Sequence, residues 1–133
     1  MMIVRMLKKR LGINAIEIDW SLCRYFKIPS TLIIPDSVEV IGRGVFEGCK
    51  KLEKVEIPKN IVEIGSWAFD GCERLEKIII PRSVKNIGFC AFRGCSNAEV
   101  IVEMSKNEFE FKNIPSLFVS CKSVEYVEEE IRS

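Results

Sequence analysis

Histidine is absent from all 133 residues. That removes the usual base of Ser-His and Cys-His pairs and the commonest neutral metal ligand. The cysteines form no C-x-x-C pair, so a zinc site has no starting motif. Net charge is almost absent too. The 20 basic and 19 acidic side chains leave +1, too little to argue for a nucleic acid or an acidic substrate. No apolar run approaches the length of a membrane span. The start is not expected to act as a secretory leader, because Arg5, Lys8, Lys9 and Arg10 interrupt its apolar residues. A complete chain with these features is expected in the cytoplasm, and a fragment of a longer secreted protein outside the cell. The glycines are separated singles, not a phosphate-cradling loop. These absences predict no catalytic residues, no metal and no cofactor, hence a protein that is not an enzyme.

What is present is a repeat. Ile34-Pro35, Ile57-Pro58 and Ile80-Pro81 recur at a step of 23. Val38, Ile61 and Val84 follow in the same register, then Ile41-Gly42, Ile64-Gly65 and Ile87-Gly88. Phe46, Phe69 and Phe92 come next, and Cys49, Cys72 and Cys95 after them. A strict period in this range marks a solenoid, in which each turn buries its apolar face only against the next turn.

One turn reads from Pro58 to Ile80. Proline cannot donate to a ladder, so Pro58 ends a strand and opens a bend. Ile61 and Ile64 point inward, and Gly65 is read as a positive-φ bend. Phe69 is the largest filler of the turn. Leu75, Ile78 and Ile80 then follow the L-x-x-L-x-L spacing of a repeat strand. Strands of successive turns should pair in parallel about 4.8 Å apart. This reading places Leu32, Val55, Ile78 and Ile101 in one inward column and Ile34, Ile57 and Ile80 in another.

The pattern I-P-x-x-[V/I]-x-x-I-G-x-x-[V/A]-F-x-G-C-x-x-L-x-x-[V/I]-x-I resembles the BspA-type leucine-rich repeats from Leu32 to about Val102. The resemblance implies a right-handed leucine-rich-repeat solenoid. One face would be a parallel β-sheet and the other short strands or turns, with about three full 23-residue turns and degenerate capping turns. It also implies adhesion or protein binding, the roles associated with the family on bacterial and parasite surfaces, and brings no catalytic residues.

The whole chain is read as one domain. Residues 1–31 form an N-terminal cap, 32–102 the repeats, and 103–133 a degenerate repeat with an acidic C-terminal cap. Ile3, Met6, Leu7 and Leu11 share one face of a short helix that would cover the open first turn. Ile16, Ile18 and Trp20 alternate as in a strand, and Ser21 to Pro29 reads as a weak first turn. Phe118, Ser120, Cys121, Val124 and Val127 echo Phe92, Gly94, Cys95, Ala98 and Ile101 at an offset of 26. Phe109 and Phe111 alternate with charge, which predicts a half-buried strand near the three extra residues.

Cys49, Cys72 and Cys95 share one structural position and are expected to stack as buried, reduced thiols. Cys90 breaks the repeat, since its equivalents are Gly44 and Trp67. The sheet face is the candidate binding site. Its outward rows are expected to be Thr31, Lys54, Lys77, Val100 and Tyr126, and Ile33, Glu56, Ile79, Val102 and Glu128. Ile33, Ile79, Val100 and Val102 would then expose apolar surface at an interface. Trp67, on the other side, is a second candidate anchor. The functional expectation is a non-enzymatic module that binds a partner protein through this face, with inhibition of a host or cellular protein as one version. No nucleic acid and no membrane enter it. The alternative is a fragment of an extracellular adhesion or surface-structure protein.

Overall fold

The computed structural model of the protein describes residues 17–18, 27–112 and 117–127. Its described strands form two parallel sheets on opposite sides of a coil. One sheet holds β2 (Thr31–Ile33), β4 (Lys54–Glu56), β6 (Lys77–Ile80), β8 (Glu99–Val102) and β9 (Ser123–Tyr126), in that order. The other holds β1 (Glu17–Ile18), β3 (Val40–Ile41), β5 (Glu63–Ile64) and β7 (Asn86–Ile87). The register follows the 23-residue step: Leu32 pairs with Val55, Lys54 with Lys77, and Ile18 with Ile41, then Ile64 and Ile87. β1 lies within the strand expected around Ile16 to Trp20. The proposed helix at Ile3–Leu11, and residues 21–26 of the weak turn read from Ser21 to Pro29, lie outside the described residues.

The interior consists of stacked copies. Phe46 stacks on Phe69 with centroids 5.1 Å apart, and Phe69 on Phe92 at 5.4 Å. Phe92 meets Phe118 at 5.4 Å, so the stack continues into the last turn. All three repeat phenylalanines are fully buried, as are Ile41, Ile61 and Ile64. Each aromatic contact adds about 0.5–1.5 kcal/mol beyond area burial.

The cysteine column has a hydrogen-bonding purpose that packing alone does not explain. The Cys72 thiol donates to the Phe46 carbonyl at 3.2 Å, and the Cys95 thiol to the Phe69 carbonyl at 3.0 Å. A buried carbonyl at each bend thus gains a second donor from the next turn. Cys72, Cys90, Cys95 and Cys121 are free. Cys49 corrects the expectation of a fully reduced column: it is disulfide-bonded.

Gly65 is needed for space and not for a positive φ. A Cβ there would stand 2.6 Å from the Arg43 nitrogen, and one at Gly88 would stand 2.2 Å from the Ser66 nitrogen. Adjacent turns approach too closely at this corner for any side chain.

The last turn departs from the pattern in two ways. Only Glu99 separates Ala98 from the first inward residue of β8, where Glu76 and Lys77 separate Leu75 from Ile78. Val100 therefore pairs with Ile78, and Val102 with Ile80. In addition, Lys106–Lys112 is a helix, α1, and not the strand read from Phe109 and Phe111. Ser105 caps it: its hydroxyl accepts from the Glu108 amide at 3.2 Å, and its carbonyl from Phe109 at 3.0 Å. Phe109 is buried against Phe118 and Tyr126, at 5.3 and 5.6 Å between centroids. The offset of 26 holds between Phe92 and Phe118, but β9 pairs Val124 with Val100 and Tyr126 with Val102.

Candidate recognition surfaces

The outward residues of the five-stranded sheet follow from this register. Strand residues alternate between faces. Thr31, Lys54, Lys77, Glu99 and Ser123 form one exposed row. Ile33, Glu56, Ile79, Ile101 and Glu125 form the second. Ile33 is 48% exposed and Ile79 41%. Lys54, Glu56 and Lys77 are exposed as expected.

Val100 and Val102 are not on this face. They are 1% and 0% exposed, members of the core. A register change of one residue moves every side chain of a strand to the other face. The residue missing after Ala98 does this, and Ile101 takes the outward place expected for Val102. Tyr126, also expected outward, is partly buried against the core. Glu128 lies outside the described residues.

At the first two turns the sheet edge meets a shallow groove. Ile33, Ile57 and Pro58 line it together with Asp36, Glu56 and Lys59. The Asn60 amide donates to the Asp36 carbonyl at 3.0 Å and ties the two bends together. Across the sheet, Glu53, Glu76 and Glu99 line a polar cleft with Arg74, Asn97 and Lys122. Among the described residues no cluster of His, Cys, Asp or Glu could hold a metal ion. No described helix is long and apolar enough to cross a membrane.

Trp67 stands at a corner beside the four-stranded sheet. It is half-buried, with φ at 56°. Gly44 and Cys90, one turn to either side, have φ of 66° and 54°. The corner thus takes a left-handed residue in each of these three turns, and one of the three supplies glycine. Phe89 lies edge-on to Trp67 with centroids 6.2 Å apart, and is 59% exposed. The Arg43 guanidinium sits 4.4 Å above the indole.

Sequence reasoning missed two contacts whose signal was present. Asp70 and Arg93 occupy one repeat position and form a two-point ion pair. Nε donates at 3.0 Å and an η-nitrogen at 2.8 Å. Asp70 is buried, and its hydrogen bonds and charge raise the Arg93 pKa. Opposite charges one period apart should have suggested this pair. Likewise Arg43, Ser66 and Phe89 share a position flanking the Trp67 column, which forecasts the ring contacts. The Cys95 and Cys121 thiols are poor nucleophiles. The Cys72 side chain and burial hold the Cys95 pKa well above the ordinary range. Burial, then Cys95, pushes Cys121 up to about 12.

The chain is similar in structure to a crystal structure of T. pallidum Leucine Rich Repeat protein (TpLRR). The identity is 20% and the TM-score 0.46, over 88% of this chain and 72% of that one. A comparison with curated proteins found no match. The family model described as a BspA type leucine rich repeat region of 6 copies matches residues 17–131. With the parallel sheets and the 23-residue register, that match decides the assignment: the chain belongs to the BspA-type leucine-rich repeat family.

Proposed function

We propose that the chain is a non-enzymatic protein-binding module whose recognition surface is the outer face of the five-stranded sheet. The observation that carries this reading is the exposure of Ile33 and Ile79 in one outward row, with Ile101 half-buried beside Ile79. Lys54 and Lys77 run alongside in the neighbouring row. Ile79 and Ile101 adjoin, Glu56 stands between them and Ile33, and this mix of exposed apolar and charged side chains is what a recognition surface can use. The finer version is inhibition by occlusion, in which the module covers a functional surface of a cellular protein. The test is the double variant Ile33→Asp with Ile79→Asp. Its melting temperature should match the parent, while affinity for a partner captured by the parent falls at least tenfold. Unchanged affinity in the stable variant removes the sheet face from the proposal.

A second reading is a module of an extracellular adhesion or surface protein. The Cys49 disulfide favours it, because such bonds persist in oxidising compartments. Intact mass measurement after alkylation of protein from its native source separates the two settings. An oxidised Cys49 supports the extracellular reading, and six alkylated thiols support the cytoplasmic one.

A further inference from the structure

We infer that the corner formed by Arg43, Trp67 and Phe89 is a second interaction site, separate from the sheet face, and that it takes an acidic, aromatic-bearing peptide segment. Three independent observations converge there. The first is conformational. Trp67 holds a φ of 56° that Gly44 adopts one turn away without a Cβ penalty. The ladder enforces this geometry: the Trp67 amide donates to the Phe89 carbonyl at 2.9 Å, and the Asp70 amide to the Trp67 carbonyl at 3.1 Å. Glycine would satisfy the corner better, so a large aromatic residue here trades stability for something else. Strain of this kind gathers at functional positions.

The second observation is exposure. Phe46, Phe69 and Phe92 show where this fold puts a phenylalanine that serves the core. Phe89 is instead 59% exposed, against the edge of a half-buried tryptophan. The exposed Phe89 ring offers aromatic surface outside the core beside the indole, and tryptophan is enriched at binding hot spots.

The third is charge. Arg43 rests over the indole at 4.4 Å and makes no ion pair among the described residues. Arg93, in the next column, is neutralised by Asp70. Arg43 is thus the cation at this corner with its fork still available to a carboxylate. A carboxylate on Arg43 and a ring against the exposed Phe89, which Trp67 supports from beside, together define the partner: a peptide carrying Asp or Glu next to Phe or Trp.

The test uses the full chain and fluorescein-labelled peptides that alternate Asp with Phe and Trp. Controls are the same peptides with Lys in place of Asp, and oligothymidylate. The parent should bind the acidic peptide at least tenfold more tightly than the lysine version, and only weakly bind the oligonucleotide. Trp67→Gly should lose that binding by tenfold or more with an equal or higher melting temperature, because glycine relieves the left-handed strain. Arg43→Glu should lose it with no change in melting. Ile79→Asp should leave it unchanged, which separates this site from the sheet face. Equal binding of acidic and lysine peptides overturns the proposal, as does full binding by Trp67→Gly. Preference for the oligonucleotide, or no acidic-peptide binding at millimolar concentration, also overturns it.

Discussion

Phe46, Phe69 and Phe92 occupy one repeat position and do one job, whereas Arg43, Ser66 and Phe89 occupy one position and do three. The phenylalanines stack at 5.1 and 5.4 Å in the core. In the other column Arg43 lies on an indole, the Ser66 hydroxyl accepts from the Phe89 amide at 3.0 Å, and the Phe89 ring faces solvent. Identity from turn to turn marks what the coil needs to exist, because each turn has only its neighbours to bury against. Variation from turn to turn marks what is free to meet a partner. Trp67 sits on the boundary, since its backbone obeys the repeat and its side chain does not.

The largest effect should come from placing a charge in an identical column. Val100→Asp would bury an unpaired carboxylate among Ile78, Val124 and the rest of the core. Loss of cooperative unfolding is expected in circular dichroism melting. A folded Val100→Asp protein would return this residue to the outer face. Phe69→Ala should come next, at about 3–5 kcal/mol in urea unfolding, since Phe46 and Phe92 hold the gap open on both sides.

A smaller loss is expected in alkali. The Cys95 and Cys121 thiols keep their protons in the fold above their ordinary 9.0, Cys121 up to about 12. The unfolded chain releases those protons first. The stability they contribute is therefore complete below the ordinary thiol value and declines as pH rises through it. The limiting slope is about 1.4 kcal/mol per pH unit for one thiol, and less for half-buried Cys121. Urea midpoints between pH 8 and 10.5 should fall for the parent, and fall less steeply for Cys95→Ala. Ile79→Asp should cost least, within about 0.5 kcal/mol, because its side chain already faces water. A loss of several kcal/mol would mean that Ile79 packs against another part of the chain.

The inward columns were legible because a strict period repeats its own evidence: a misread landmark in one turn is corrected by the next. The last turn had no such check. A single missing residue after Ala98 leaves Val100, Ile101 and Val102 all apolar, so composition cannot tell which faces inward. Only pairing with Ile78 and Ile80 decides it. Near Phe109 two signals competed. Alternation of Phe109 and Phe111 suggested a strand, while Ser105-x-x-Glu108 has the spacing of a helix cap, and the cap prevailed. At the candidate site, the sequence alone was enough to place Ile33, Lys54, Glu56, Lys77 and Ile79 outward. It was not enough for the Trp67 corner, because backbone handedness at Gly44, Trp67 and Cys90 has no signature when two of the three residues are not glycine.

We propose that recognition belongs to the varied outer surface of the five-stranded sheet. Site-specific photo-crosslinking tests it most directly, with a benzophenone amino acid in place of Ile79 and, separately, of Glu63, which is exposed on the four-stranded sheet. Both variants would be expressed in cells of the native source and their adducts identified by mass spectrometry. The account predicts one dominant protein adduct at position 79, missing at position 63 and lost when Ile33→Asp is added. Identical adducts at both positions, or an adduct at 63 alone, would contradict it.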